Sequence, residues 1–197
     1  GDSEKKLGKA DSTGADALIL DIEDSVAPER KAEARRMTRT FLEDRAPGAR
    51  SSQLYVRVNP LEDSALEDLA AVMPGAPDGI MIPKTYDADC VRQLSLYLDA
   101  FEAAQGIERG TTKIIPVATE TASAALTLHS FLGQPLPRMQ AMTWGAEDLA
   151  TVLGASTNRD ETGQWALTYR IARSNLLLTA KALGIAAIDT LYVDLKD

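Results

Sequence analysis

The sequence has little cysteine and histidine, with one of each, Cys90 and His129, in 197 residues. A single cysteine excludes an internal disulfide, and zinc would find few of its usual nitrogen and sulfur ligands. No apolar run approaches membrane-spanning length, and no signal peptide opens the chain. Basic clusters are also missing and the formal net charge is −8, so nucleic acid and anionic membranes are not expected partners. These absences favour a cytoplasmic protein that binds any metal through oxygen.

The order of the predicted elements indicates a single α/β domain. Apolar runs typical of buried parallel strands lie at 17–24, 53–59, 79–84, 113–120, 138–144 and 187–194. Helices are predicted at 28–45, 61–73, 87–105 and 164–183, and a further helical pattern follows Glu120 directly. Alternation of this kind favours βα units with parallel pairing. Pro83 and Pro116 count against two of the strands, because proline donates no hydrogen bond to a ladder.

Charged side chains occur where the predicted strands end. In chain order they are Asp21, Glu23, Asp24, Arg57, Lys84, Glu120, Glu147, Asp148 and Asp194. The active site of a β/α barrel is built at the carboxyl ends of its strands, so we expect these groups to converge at one mouth. We therefore predict a (β/α)8 TIM-type barrel that lacks its first strand and its C-terminal part in this sequence. A doubly wound open sheet is the alternative layout, although no glycine-rich nucleotide loop follows a strand to support it.

The chemistry of these side chains predicts a magnesium site that stabilises an enolate. Mg²⁺ prefers one or two carboxylates together with water and substrate oxygens. An arginine binds a carboxylate through two parallel hydrogen bonds, which lysine does not match, so Arg57 is expected to hold a small keto or hydroxy acid. A cation neutralises the negative charge that develops on an oxygen. The pattern therefore favours cleavage or formation of a carbon–carbon bond.

Four stretches resemble the citrate lyase β-subunit-like CoA-ester lyases of the HpcH/HpaI aldolase superfamily. They are G-A-D-A-L-I-L-D-I-E-D-S-V-A-P-E-R-K at 14–31, Y-V-R-V-N-P-L at 55–61, D-G-I-M-I-P-K at 78–84 and W-G-A-E-D-L-A at 144–150. The resemblance implies a β/α barrel, Mg²⁺ as cofactor and a homotrimer or larger homo-oligomer. It also implies that a 3-hydroxyacyl-CoA thioester of the citryl, malyl or citramalyl type is cleaved or formed. The products of cleavage would be a 2-keto acid and acetyl-CoA or a related thioester.

The resemblance also assigns roles to individual residues. Arg57 would bind the carboxylate of the keto acid, while Glu120 and Asp148 would ligate Mg²⁺, and these three form the expected catalytic set. Backbone N–H groups near 146–148 would assist the substrate carboxylate. For this reason Ala146 and Glu147 join Arg57 and Glu120 as expected substrate-binding residues.

Three more charged residues are expected to support the site. By the resemblance, Glu23 and Asp24 would be partners of metal-bound water. Lys84 is expected to neutralise the acidic mouth. Lys84 as a Schiff-base lysine is an alternative, if burial lowers its pKa, but the carboxylate pair favours metal chemistry. Arg57 in a purely structural ion pair is a further alternative, and Asp21 is expected either to be structural or to support a neighbouring residue of the site.

The sequence departs from the family pattern at both ends. The family has an apolar strand before the equivalent of Gly1, and after the equivalent of Asp197 an eighth strand and a segment that carries the general acid/base. We therefore expect this sequence to be a portion of a longer polypeptide, with the proton-transfer residue outside it. Two other functions remain open: a Mg²⁺ aldolase of free 4-hydroxy-2-keto acids, and a non-catalytic subunit that binds a keto acid or an acyl-carrier protein.

Overall fold

The computed structural model describes residues 7–9 and 12–192, which form an α/β chain. Its strands are β1 Ala17–Asp21, β2 Gln53–Arg57, β3 Gly79–Ile82, β4 Lys113–Pro116, β5 Ala141–Thr143 and β6 Ala186–Ile188. Its α-helices are α1 Lys31–Glu43, α2 Ala65–Val72, α3 Ala88–Gln105, α4 Ala122–Leu126, α5 Ala146–Val152 and α6 Leu167–Leu183. The chain divides into two compact units, Gly1–Ile82 with Gln93–Ile114 and Pro83–Arg92 with Ile115–Asp197. We call them the first and the second unit.

The first unit is built on a parallel sheet. β1 pairs with β2 and β2 with β3, and the strand order is β1-β2-β3-β4. β4 begins beside β3, where the Lys113 N–H donates to the Asp78 carbonyl oxygen at 3.0 Å. The register of β1 against β2 places Asp21 opposite Arg57 at the carboxyl ends of both strands. The prediction of parallel strands is therefore confirmed for this sheet.

The strands are shorter than predicted, and this resolves the conflict over the two prolines. Pro83 lies directly after β3 and Pro116 is the last residue of β4, so neither interrupts a ladder. Charged residues that we placed at strand ends lie in the connections that follow the strands, as Glu23, Lys84 and Glu120 do. Burying a charged side chain costs less free energy in a connection than in a strand, because backbone N–H and C=O groups of a connection are not all used in a ladder and can hydrogen-bond the charge.

The helices of the first unit cover the sheet with apolar stripes. Pro28 opens a 3₁₀ turn, Pro28–Arg30, as a proline at a first helical turn can, because its missing N–H is not needed there. α1 then buries residues spaced three and four apart, namely Ala34, Met37, Thr38, Phe41 and Leu42. Three apolar residues of α2, Ala65, Leu69 and Val72, are fully buried as well. None of the helices within the described ranges is long and apolar enough to cross a membrane.

A buried carboxylate, Asp68 of α2, links the helices of the first unit to the end of β2. It is 0% exposed. One of its oxygens accepts from Arg35 Nε of α1 at 2.6 Å, and the other accepts from the backbone N–H and the amide Nδ2 of Asn59 at 2.6 and 2.7 Å. Since a buried charge is tolerated when it is paired and hydrogen-bonded, these contacts make Asp68 a fixed point of the unit.

The second unit holds a smaller parallel sheet. β5 pairs with β6, with Ala141 opposite Ala186 and Thr143 opposite Ile188. The chain just after β4 joins β5, because Val117 bridges Thr143. The last strand is shorter than predicted, and Asp194, which we placed at its end, lies outside the described residues. α6 ends at Leu183, and the residue that follows, Gly184, has the left-handed conformation typical of a helix C-cap, with φ 71°.

The helix predicted after Glu120 is broken in two. α4 ends at Leu126, and a 3₁₀ turn, Leu128–Phe131, follows. Thr127 lies between them, and its hydroxyl donates to the carbonyl oxygens of Ser123 and Tyr86 at 3.0 and 2.6 Å. A threonine hydroxyl that bonds backbone carbonyls competes with the helical ladder, which explains the interruption.

We expect the substitution Asp68→Asn to lower the free energy of unfolding by about 3 kcal/mol, because it leaves Arg35 without the charge of its buried partner. The matched control is Glu43→Gln, which removes the carboxylate of an exposed α1 pair with Arg39 and should cost less than about 0.5 kcal/mol. Urea unfolding followed by circular dichroism measures both values. Equal costs for the two variants would contradict the structural role given to Asp68.

Candidate functional site

In the first unit an arginine at the end of β2 forms ion pairs with two carboxylates, one at the end of β1 and one just after it. Arg57 donates from Nε to Asp21 Oδ1 at 2.8 Å and from Nη2 to Asp21 Oδ2 at 2.6 Å. Its Nη1 lies 3.1 Å from Glu23 Oε2. The strand register explains the first pair, because Asp21 and Arg57 are directly opposite each other. A bidentate pair fixes the plane of the guanidinium as well as its position.

This pairing shifts the pKa values of both partners. Burial raises the pKa of the Asp21 carboxyl, but the hydrogen bonds and the charge of Arg57 outweigh it and bring the pKa down to about 2. For Arg57 burial lowers the pKa, while the hydrogen bonds and charges of Asp21, Glu23 and Asp24 raise it above its ordinary value. Both groups are therefore charged at neutral pH, and the pair is an ion pair.

Lys31, the first residue of α1, holds the turn that presents Glu23. Its ammonium donates to the carbonyl oxygens of Ile22 and Glu23 at 2.9 and 2.6 Å and to Asn59 Oδ1 at 2.8 Å. It thereby joins the connection after β1 to the connection after β2. Sequence reasoning missed Lys31 and Asn59 as site residues, although each lies within a stretch that resembles the family.

In the second unit the carboxylate of Glu120 is buried, with only 3% of the residue exposed. Its Oε2 accepts a short hydrogen bond from the backbone N–H of Lys84. Lys84 has a positive φ of 49°, a conformation that costs a non-glycine residue about 1 kcal/mol. This strained backbone conformation directs the N–H group of Lys84 at the carboxylate of Glu120. The sequence prediction for Lys84 concerned its side-chain charge and did not include this backbone contact.

Glu120 packs against the start of α5, the helix that carries Asp148. A Cβ at Gly145, the N-cap of α5, would lie 2.5 Å from Glu120 Cγ and 3.2 Å from its Oε1. Only a glycine leaves room for Glu120 at this position. Asp148 is half-buried on the first turn of α5. The second unit therefore brings Glu120 to the end of the helix where Asp148 is found.

Two neighbours of Asp148 have contacts within the second unit. The backbone N–H of Ala146, expected to face the substrate, donates to Thr190 Oγ1 at 3.4 Å. The side chain of Glu147 is exposed and accepts from Asn158 Nδ2 at 2.9 Å. Both contacts connect α5 to other segments of the second unit, and the substrate-binding roles of Ala146 and Glu147 stay predictions.

The carboxylates of Glu120 and Asp148 fit Mg²⁺ by their chemistry. No group of three or more His, Cys, Asp or Glu side chains that could hold a metal occurs within residues 7–9 and 12–192. A metal bound here would take its remaining ligands from water and substrate. Mg²⁺ is commonly bound in this way, by one or two carboxylates with several waters kept, whereas Zn²⁺ requires a fuller set of protein ligands.

Comparison with known proteins identifies the family of this chain. The sequence model of the HpcH/HpaI aldolase/citrate lyase family matches residues 1–197. This chain belongs to that family. The membership accords with the motifs that end β1, β2 and β3 and with the W-G-A-E-D segment at the start of α5.

Two relatives in the HpcH/HpaI family have named activities. The mitochondrial citramalyl-CoA lyase of Mus musculus is 31% identical over 211 residues, covering 100% of this chain and 59% of the relative. The citrate lyase subunit beta of Escherichia coli K12 is 35% identical over 181 residues, covering 91% of this chain and 57% of the relative. The chain therefore spans less than two thirds of the length of these relatives.

A solved structure of the same family resembles the described fold. Protein CitE from Mycobacterium tuberculosis, in complex with magnesium and acetoacetate, superposes with a TM-score of 0.74 at 31% identity, covering 100% of this chain and 72% of that one. A second structure of CitE contains magnesium, acetoacetate and coenzyme A, with a TM-score of 0.73 at 30% identity, covering 98% of this chain and 63% of that one.

We expect Asp21→Asn to lower the free energy of unfolding by about 2 kcal/mol at pH 7, the value of a pKa shift of this size. Because the folded pKa of about 2 lies below the ordinary value of 3.8, the contribution is complete above about pH 4. It is lost as the pH falls through the folded value. Urea unfolding of wild type and variant between pH 7 and pH 3 should show the difference narrowing below about pH 4.

The control for this prediction is Glu29→Gln, which alters an exposed carboxylate of the same unit. Its effect should be small at every pH. A difference between wild type and Asp21→Asn that stays constant down to pH 3 would show that the ion pair with Arg57 does not stabilise the fold through the charge of Asp21.

Proposed function

We propose that this protein contributes the catalytic residues of a Mg²⁺-dependent carbon–carbon lyase. Its substrate would be a 3-hydroxyacyl-CoA thioester of the citryl, malyl or citramalyl type. The observation that carries the proposal is the burial of Glu120 against the N-cap of the helix that bears Asp148. The named activities of the relatives, and the magnesium and acetoacetate bound by CitE, support it.

Glu120 and Asp148 are the residues that would hold the metal. Bound Mg²⁺ would supply positive charge next to the developing enolate oxygen. The Lys84 N–H fixes one oxygen of Glu120, so the carboxylate does not have to reorganise when a ligand binds. Preorganisation of this kind is what distinguishes a catalytic carboxylate from a flexible surface one.

Arg57 would bind the carboxylate of the 2-keto acid. Its contacts with Asp21 and Glu23 leave N–H donors of the guanidinium for a substrate, since arginine carries five. In the cleavage direction a general base takes the proton of the 3-hydroxyl. The C3 oxygen then forms the carbonyl group of the keto acid as the bond between C3 and C2 of the acyl group breaks. The electron pair passes to the thioester enolate, which is then protonated, while Arg57 retains the keto acid that has formed.

We propose in addition that the strands belong to an eight-stranded β/α barrel and that the protein acts as a homo-oligomer in the cytoplasm. The parallel pairing of β1 with β2, β2 with β3 and β5 with β6 supports the barrel. Coenzyme A rather than a carrier protein is the acyl carrier we favour, because CitE binds coenzyme A together with acetoacetate.

The assay that tests the proposal supplies the full polypeptide with citramalyl-CoA or malyl-CoA and with a free 4-hydroxy-2-keto acid, with and without Mg²⁺. We expect turnover of a CoA ester only when the metal is present. Glu120→Gln and Asp148→Asn should each lower kcat by about 100-fold or more. Arg57→Lys should mainly raise KM for the keto acid in the reverse direction, because lysine does not bind a carboxylate bidentately. Turnover of the free hydroxy-keto acid alone would instead identify an aldolase.

A second prediction concerns the space at Gly145. In Gly145→Ala the new Cβ would lie 2.5 Å from Glu120 Cγ, so Glu120 has to move. We expect Mg²⁺ affinity, measured by calorimetry, to fall about tenfold. The control is Gly154→Asn at the other end of α5, where asparagine tolerates the positive φ of 63° and no heavy atom lies within 4 Å of a Cβ. Unchanged affinity in Gly145→Ala would argue against Glu120 as a ligand.

A further inference from the structure

A carboxylate outside the proposed metal pair, Asp189, lies just after β6 and contacts the segment that leads into α5. Its Oδ1 accepts from the indole Nε1 of Trp144 at 2.7 Å. The same oxygen accepts from Arg173 Nε at 3.1 Å, and Oδ2 accepts a short bond from Arg173 Nη2. Asp189 therefore joins the end of β5, through Trp144, to α6.

Trp144 needs this acceptor because it is buried. Only 2% of the residue is exposed, and an indole N–H removed from water without an acceptor is costly. The edge of its ring packs against Trp165, with 5.1 Å between ring centroids. A tryptophan held by an aromatic contact and by a charge-assisted hydrogen bond has one available orientation.

Two further hydrogen bonds attach the same segment to the end of β6. Thr143 Oγ1 donates to the Asp189 carbonyl oxygen at 3.2 Å, and the Ala146 N–H donates to Thr190 Oγ1 at 3.4 Å. Gly145, against which Glu120 packs, lies between these contacts in the sequence. The backbone from Thr143 to Ala146 is thus attached to Asp189 and Thr190 on both sides of Gly145.

We propose that Asp189 is a positioning residue for the Mg²⁺ site. It fixes Trp144, and through Trp144 it sets the position of Gly145 and the first turn of α5, so that Glu120 and Asp148 are held ready to share a metal. The inference rests on the proposed function, because it assumes that those two carboxylates bind the ion. Asp189 itself contacts neither of them and takes no part in the chemistry.

The charge of Asp189 suits this role. Burial raises the pKa of its carboxyl, but the hydrogen bonds from Trp144 and Arg173 outweigh it and lower the pKa below its ordinary value. The carboxylate is therefore ionised at neutral pH. Arg173 adds an ion pair from the side of α6 in which both side chains are about half exposed, so water also solvates the charge of Asp189.

The test measures binding of Mn²⁺, as a probe for Mg²⁺, by electron paramagnetic resonance on the full polypeptide. Asp189→Ala removes the acceptor and Trp144→Phe removes the donor while keeping an aromatic ring. Each should weaken Mn²⁺ binding about tenfold, the effect typical of a lost supporting contact. The double variant should be no weaker than either single variant, because both remove the same interaction. Asp189→Asn keeps an oxygen acceptor and should recover affinity to within about threefold of wild type.

The control is Arg173→Met, which removes the other partner of Asp189 and should leave Mn²⁺ affinity within about twofold. Trp144 and Trp165 each give an indole signal in ¹⁵N spectra. The Trp144 signal should move in Asp189→Ala while that of Trp165 stays, which shows that the variant is folded and has lost only this bond.

The outcomes separate the two proposals. If Glu120→Gln and Asp148→Asn abolish Mn²⁺ binding while Asp189→Ala and Trp144→Phe leave it unchanged, the positioning role is overturned and the metal pair stands. If the wild-type protein binds no Mn²⁺, the proposed function is overturned and the role of Asp189 with it. If the losses of Mn²⁺ affinity in the two single variants add up in the double variant, Asp189 and Trp144 act independently, and the proposal that Asp189 acts through Trp144 is overturned.

Discussion

The placement of charged side chains directly after parallel strands, where they are withdrawn from water, is the constraint on which this structure depends. An isolated buried carboxylate is so costly that it would take up a proton instead. Each buried acid of the site therefore has a defined partner: Arg57 contacts Glu23, and the Lys84 N–H contacts Glu120. The pairing that stabilises the fold also fixes the groups that the proposed reaction requires.

The two units reach a fixed geometry by different means. In the first unit the partners are charged side chains, with Arg57 held by Asp21 and Glu23, and Lys31 holding the turn behind them. In the second unit backbone geometry contributes, through the strained Lys84, whose N–H contacts Glu120, and through the absence of a side chain at Gly145.

The sequence predicted the part of the site that follows from strand periodicity and chain order. Charged residues after apolar runs pointed to Arg57 and Glu120, whose roles stay predictions, and the alternation of elements predicted the parallel sheet. Asp21 was expected either to be structural or to support a residue of the site, and its bidentate contact with Arg57 accords with both. Its position opposite Arg57 depends on strand register, which one sequence does not specify. The supporting contact of Asp189 with Trp144 spans 45 positions, a pairing that local patterns do not contain.

The charges around Arg57 bear on how a substrate carboxylate would bind. Asp21 and Glu23 carry two formal negative charges against the single positive charge of Arg57, so this cluster is anionic before any substrate arrives. A carboxylate added to it is repelled by two acids as well as attracted by one guanidinium, and the repulsion is strong where water is excluded. A carboxylate bound there would therefore need a further positive charge to offset this repulsion. By this argument the single guanidinium of Arg57 would be a poor site for an anion on its own.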